Sequence, residues 1–340
     1  MLELKKLTKY FNKGSPSETL AINNLSLQIR PGDFITVIGG NGAGKSTLLN
    51  IIAGSIESDS GLTLLNDVDI SFWKEHRRAP YFGRVFQDPM SGTAADMSIL
   101  ENLAIAYGRG KPRLVYKWFI NKKEKEYLVN ELKSLDLGLE NRLTDKVGLL
   151  SGGQRQALTL LMATMRQRPS ERVIKRDYVR FCESDKSKAK EEIEKAFGNA
   201  HKIKKENLSK LKSQNLSKEE KKARIAEINA EFDGEIAKFD LTKQILLLDE
   251  HTAALDPKTA SKVLDITEKI VNENKLTTIM ITHNMKDAIR YGNRLIMMSH
   301  GKVVVDIKGE EKKKLTVEDL LNLFQSASKD DYLSDSAILG

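Results

Sequence analysis

From Leu2 to Leu27 apolar and polar positions alternate loosely and break at Gly14-Ser15-Pro16-Ser17, a period of two that predicts two strands joined by a turn. Pro31-Gly32-Asp33 then turns the chain into Phe34-Ile35-Thr36-Val37-Ile38. That unbroken, β-branched apolar run predicts a buried strand, and Leu48 to Ala53 can continue as a helix. Asp59-Ser60-Gly61 reads as a turn before a strand at Leu62 to Leu65. A further strand runs from Arg84 through Gln87 and is stopped by Pro89. From Ile99 to Leu139 the apolar spacing changes to three and four, with Tyr127, Leu128, Glu131, Leu132 and Leu135 on one face, so this stretch predicts helix. The remainder repeats strand and helix: Ile245 to Leu248, a helix from Lys258 to Asn274, and Thr277 to Ile281. A hairpin of Arg294 to Met298 with Lys302 to Asp306 turns at His300-Gly301, and a terminal helix spans Val317 to Phe324. The pattern predicts an α/β core with an antiparallel β subdomain at its start.

Composition narrows the surroundings. The 340 residues suffice for one large or two modest domains, and 40% hydrophobic with 30% charged residues is a globular balance. The net charge of +8 is interleaved with acids, which predicts a mildly basic surface and no nucleic-acid partner. Cys182 stands alone, which excludes an internal disulfide and a cysteine metal cluster and fits a reducing compartment. Met1 to Lys6 leads into no signal-peptide core, and no apolar run nears the ~18–20 residues of a membrane-spanning helix. Service to a membrane would come from the water side.

The candidate chemistry begins at Gly39-Gly40-Asn41-Gly42-Ala43-Gly44-Lys45-Ser46-Thr47, which fits the phosphate-loop pattern G-x-x-x-x-G-K-[ST] between a predicted strand and helix. Glycines let the backbone approach a polyphosphate and aim several N–H groups at it, and the first helical turn adds more. Lys45 is expected to reach the β- and γ-phosphates, and the Ser46 hydroxyl to ligate Mg²⁺. Gln87 carries an amide suited to sensing a metal ion and its water. Phe11 could stack on an adenine ring or simply edge a strand, with Tyr10 as a rival. Trp118 and Phe119 read as packing of a helical subdomain or as a partner surface.

Leu150-Ser151-Gly152-Gly153-Gln154-Arg155-Gln156 follows the helical stretch. A serine hydroxyl and two glycine N–H groups ahead of a helix start make a second anion site. The heptapeptide resembles the signature motif of ATP-binding cassette (ABC) proteins, whose motif order the chain follows. Gln244-Ile245-Leu246-Leu247-Leu248-Asp249-Glu250 is similar to their Walker B strand, His251-Thr252-Ala253-Ala254-Leu255-Asp256 to their D-loop, and His283 to their switch histidine. The resemblance implies Asp249 on Mg²⁺, Glu250 polarising the attacking water, His283 at the γ-phosphate, and Asp256 at a subunit interface. It also implies that Ser151 to Gln154 face ATP held by a second copy of the chain. His251 stands where the family usually has proline, and reads as a loop residue that alters local stiffness rather than as a ligand or base.

After Arg168-Pro169-Ser170 the chain departs from the family pattern by an insertion of roughly seventy residues, Glu171 to Thr242, far longer than ordinary connections. It is Lys/Glu-rich and nearly balanced. Ile193, Phe197 and Ala200 form one apolar stripe, and Ile225, Ile228, Phe232, Ile236 and Phe239 another, with a capping box at Ser217-Lys218-Glu219-Glu220 between them. A helical hairpin results, feeding a strand's amino end and so expected to project away from ATP, to dock a partner or only to elaborate the surface.

The reading is therefore a P-loop NTPase core of the ABC ATPase type. Its expected parts are 1–98 (core with antiparallel β subdomain), 99–170 (helical signature subdomain), 171–242 (inserted hairpin), 243–325 (core with Walker B and switch histidine) and 326–340 (polar tail). By resemblance it is a Mg²⁺-dependent ATPase subunit of a transporter, peripheral on the cytoplasmic face of the membrane. Expected partners are integral-membrane permease subunits, a second copy and an extracytoplasmic substrate-binding protein. Ser151 to Thr164, Asp249 to Thr259 and Thr282 to Met298 resemble a bacterial importer group linked with tryptophan or tyrosine uptake. The alternative is a non-transport cassette ATPase acting on DNA or ribosomes.

Overall fold

The computed structural model describes residues 1–108, 121–165, 171–181, 186–213, 217–237, 245–323 and 326. Trp118, Phe119, Arg168-Pro169-Ser170, Cys182, Phe239 and Phe324 lie outside them. The chain divides into two compact units, Met1–Gln167 with Gln244–Gly340, and Arg168–Lys243.

In the first unit, β1 (Leu2–Phe11) and β2 (Thr19–Ile29) pair antiparallel, as their alternation requires, and continue into β4 (Ser60–Leu65) and the short β5 (Val68–Asp69). Gly61 is not in a turn but inside β4 at φ +89°, where a Cβ would come within 2.4 to 2.5 Å of the Lys6 and Lys5 carbonyl oxygens. Only glycine fits that register shift opposite Lys5 and Thr8.

The second sheet runs β10 (Lys302–Lys308), β9 (Arg294–Ser299), β3 (Phe34–Gly39), β8 (Thr277–Ile281), β7 (Ile245–Asp249), β6 (Phe82–Val85). All pairings are parallel except the closing β9–β10 hairpin. Its central strands, covered on both faces, are almost wholly buried, which explains continuous apolar runs in place of alternation. β3, β8 and β7 are neighbours, so the segments following Gly39, Ile281 and Asp249 emerge together at one sheet edge.

β6 is shorter than expected: its ladder with β7 stops at Val85 opposite Leu248, leaving Gln87 in the following loop. The next carbonyl, that of Phe86, is taken by the Gln156 side chain at 3.2 Å instead of by a strand. Gln156 belongs to α5 (Gly152–Thr164), buried on nearly every side from Gln156 to Ala163. Around α5 pack Leu103 of α3 (Ile99–Tyr107), Leu128 and Leu132 of α4 (Lys122–Lys133), and Leu246 and Leu248 of β7. No helix among the described residues is long and apolar enough to cross a membrane.

In the second unit the described residues form three helices rather than the two expected: α6 (Glu171–Phe181), α7 (Lys186–Lys212) and α8 (Lys218–Ala237). Ser217 and Glu220 form the anticipated capping box, each backbone N–H donating to the other's side chain at 2.9 and 3.2 Å. Ile174, Ile193, Phe197, Ala200, Phe232 and Ile236 make the core, so a third helix completes a seam too narrow for a lone hairpin. Ile225, expected in that seam, is 41% exposed.

Candidate active site

The loop after β3 is built for close approach. Gly44 sits at φ +94°, and a Cβ there would meet the Ala21 carbonyl oxygen at 2.3 Å. Gly39 would likewise strike the Met298 carbonyl, and Gly42 turns at φ +81° in open space. Ala43 is buried beneath the loop, its carbonyl accepting from Gly301 N at 3.1 Å, while Asn41, Gly42 and Ser46 are exposed. Lys45 opens α1 (Lys45–Ala53) and curls back, with Nζ donating to the carbonyls of Gly39 (2.9 Å) and Gly40 (3.0 Å). Burial lowers its pKa, opposed by the charges of Glu250 and Asp249. Thr47 follows half-buried in the same turn.

Ser46 Oγ reaches Asp249 Oδ1 at 3.3 Å across the sheet edge. Burial raises the Asp249 pKa, and the Arg84 guanidinium, with Nη2 4.0 Å from Asp249 Oδ2, pulls it back down. A half-buried carboxylate facing a hydroxyl is a donor pair suited to a hard divalent cation. The described residues gather no cluster of three or more His, Cys, Asp or Glu. Mg²⁺ needs none, because it binds through one or two protein oxygens together with phosphate and water.

Glu250, one residue beyond β7, has φ +46°, a left-handed conformation uncommon for glutamate. Its N–H donates to the Ile281 carbonyl at 3.2 Å and its carbonyl accepts from Ala253 N at 2.9 Å. Held this way, its Oε1 lies 2.5 Å from Nε2 of His283, which follows β8. Its side chain is 11% exposed against 48% for His283, so the pair opens to solvent on the histidine side.

His251, expected as a loop residue, is buried at 2% exposure, and its Nε2 lies 3.1 Å from Thr267 Oγ1 in α9 (Pro257–Asn274). That hydroxyl donates to the Val263 carbonyl, so Nε2–H is the donor to it. Burial lowers the imidazole pKa to about 4.

Ser151 caps α5: its Oγ accepts from Gln154 N, and the Gln154 side chain accepts from Ser151 N, both at 3.3 Å. Gly153 is needed for packing, since a Cβ would press to 2.2 Å on Thr259 Cγ2, and one at Gly152 would touch Leu255 at 3.1 Å. Asp256 caps α9 through Thr259 N at 3.1 Å, and hydrogen bonding to the Thr259 side chain and then to its N–H lowers the Asp256 pKa. Among the described residues no hydrogen bond or ion pair joins Ser151 to Gln154, or Asp256, to the Gly39 loop. Gln87 is exposed, with no such bond to Ser46 or Asp249. Phe11 is 36% exposed and pairs with Thr19, two residues before the Ala21 that closes over Gly44. Lys9 Nζ lies 5.9 Å from the Phe11 ring centroid, and Lys13 Nζ 5.3 Å from that of Tyr10.

Sequence reasoning missed Arg84, which donates to Asn50 Oδ1 (2.6 Å) and Ser55 Oγ (3.1 Å), stacks on Phe86 and reaches towards Asp249. It carried no local signal, since only the pairing of β6 with β7 sets its strand beside the Walker B-like strand. Gln156 and Thr267 carried none.

The family description "ABC transporter" matches residues 22–170. The tyrosine transport ATP-binding protein of Clostridioides difficile is 35% identical over 96% of this chain and 100% of its own length. The chain belongs to the ABC transporter family. It is an ATP-binding subunit and an ATPase of that family, with its cassette fold. A phosphonates import ATP-binding protein of Lactococcus lactis is 24% identical over 94% of this ABC subunit and 98% of its own chain. A solved dimeric cassette in a post-hydrolysis state, bound to ADP and Pi, matches with a TM-score of 0.55 at 22% identity, covering 91% of this chain and 98% of that one. At that identity the likeness concerns the fold.

Proposed function

We propose that this ABC ATPase powers import of an aromatic amino acid, tyrosine foremost, through separate permease subunits fed by an extracytoplasmic binding protein. It works as a peripheral protein at the cytoplasmic face of the membrane. The observation that carries the reading is the whole-length likeness to a tyrosine transport ATP-binding protein. Phe86, Ser91, Thr159 and Met162 line a surface cavity of about 250 Å³ beside the Gln87 loop, which suits Gln87 and the following helical segment as the coupling surface.

In the proposed cycle Gly39 to Thr47 cradle the ATP phosphates by backbone N–H groups, and Lys45 exchanges its two carbonyl partners for phosphate oxygens. Ser46 and Asp249, with Gln87 alongside, would hold Mg²⁺, which neutralises phosphate charge when bound. Phe11 stacks on the adenine. Glu250 orients water in line with the γ-phosphorus, and His283 holds the Glu250 carboxylate while its exposed side meets the γ-phosphate. Water adds to phosphorus, the bond to the bridging oxygen breaks, and ADP and phosphate leave. Ser151 to Gln154 and Asp256 supply the second wall from another copy, so two ATP molecules are enclosed by a homodimer. The start of α5 supports that role, since Ser151 and Gly152 are exposed at its first turn.

The test is uptake of labelled tyrosine into proteoliposomes holding the permease that copurifies with the protein, plus its binding protein. ATP-dependent uptake that Glu250→Gln abolishes supports the proposal. Copurification with ribosomes or DNA instead of a permease, or ATP-driven uptake that excludes aromatic amino acids, overturns it.

A further inference from the structure

The inserted unit is nearly neutral in sum, but its charges are segregated. From Lys202 to Arg224 the sequence has nine Lys/Arg against three Glu, whereas from Ile225 to Ala237 it has four acids and no base. α7 and α8 pack against each other, with Lys204, Lys205 and Leu211 of α7 and Lys221 of α8 lining one groove, so basic residues of both helices meet there.

α6 runs antiparallel along α7, with Lys175 Nζ 2.5 Å from Glu194 and Glu171 Oε2 2.9 Å from His201 Nε2, so α6 begins at the level of His201. Beyond His201 α7 continues to Lys212, with α8 packed along it. Between α7 and α8 lies a groove of about 700 Å³ lined by His201, Lys204, Lys205, Leu208, Leu211 and Ile225, with Lys221 beside them. From His201 to Leu211 it measures about 15 Å along α7, two to three turns of an α-helix. Its floor is apolar and its rim is cationic.

The acids nearest the groove do not line it. Glu220 caps α8 and Glu227 pairs with Arg224. Lys204 lies 4.2 Å over the Phe232 ring, while Lys205 and Lys221 have no carboxylate partner among the described residues. An occupant must therefore bring apolar side chains at helical spacing together with carboxylates. We propose that this groove docks an acidic amphipathic helix of a partner protein, its apolar face against Leu208, Leu211 and Ile225 and its carboxylates towards Lys204, Lys205 and Lys221.

The test uses the full-length protein and two fluorescent 14-residue helical peptides that share leucines at i, i+3, i+4 and i+7, one flanked by glutamates and the other by lysines. Fluorescence anisotropy should show the acidic peptide binding at least about tenfold more tightly, an advantage that fades with salt. Lys204→Glu with Lys205→Glu and Lys221→Glu, all at the surface, should reverse the preference, and Leu208→Asp should abolish binding of either peptide. Circular dichroism and ATPase activity of these variants should match wild type. Equal binding of the two peptides, or binding that the triple variant leaves unchanged, overturns the proposal. So does attachment to phosphatidylglycerol vesicles while the acidic peptide fails to bind, which would make the surface a membrane contact.

Discussion

His283 Nε2 lies 2.5 Å from Glu250 Oε1 although the two residues follow different strands. The contact depends on β7 and β8 being adjacent and in register, Asp249 opposite Ile281, and on Glu250 adopting φ +46°. A left-handed glutamate costs on the order of 1 kcal/mol or more, and here two backbone hydrogen bonds, to Ile281 and from Ala253, hold it. The strain sets a carboxylate beside an imidazole at the edge where the phosphate loop ends. His283→Ala should lower kcat for ATP by about a hundredfold while nucleotide affinity changes little, because the loop and Lys45 remain. Steady-state ATPase assays with a fluorescent-nucleotide titration check both halves.

Gly44→Ala should remove nucleotide binding and destabilise the fold by at least about 2 kcal/mol. The added Cβ meets a backbone oxygen at 2.3 Å at φ +94°, so no side-chain rotation relieves it. Urea unfolding and nucleotide titration of the variant give the result.

His251 ties stability to pH. Its folded pKa of about 4 lies below the 6.5 of a free imidazole, so the unfolded chain binds the extra proton as acid is added. Its contribution is complete above about pH 6.5 and is lost as pH falls towards 4, amounting to about 2 kcal/mol between pH 7 and pH 5. His251→Gln should be less stable at pH 7 and should fall less over the same interval. Urea midpoints at the two pH values measure it.

If the site is half of a whole, ATP turnover by the purified protein should rise with the square of protein concentration at low concentration. Ser151→Arg, which crowds the exposed start of α5, should remove that dependence. Turnover strictly proportional to protein would contradict the second-copy role.

What could be read from the chain divides by locality. The strand, glycine loop and helix around Gly39 were legible because each is marked within a few residues by an apolar run, positive-φ glycines or a helix start. The cap at Ser217 and Glu220 was legible for the same reason. Gly61 was misread because a bulge and a turn use glycine alike, and only the backbone of Lys5 and Lys6 distinguishes them. Arg84, His251 and Ile225 were out of reach, since their settings depend on segments far along the chain. Arg84 faces Asp249, His251 hides against Thr267 sixteen positions on, and Ile225 opens onto a groove with Leu208 and Leu211 of α7. The motif order placed the candidate residues, but not which of them would touch.

The most direct measurement is single-turnover hydrolysis of ATP by wild type and Glu250→Gln, with nucleotide binding followed in the same samples. The account predicts that the variant keeps ATP and loses hydrolysis by at least about a hundredfold. Equal hydrolysis by the two proteins would contradict it.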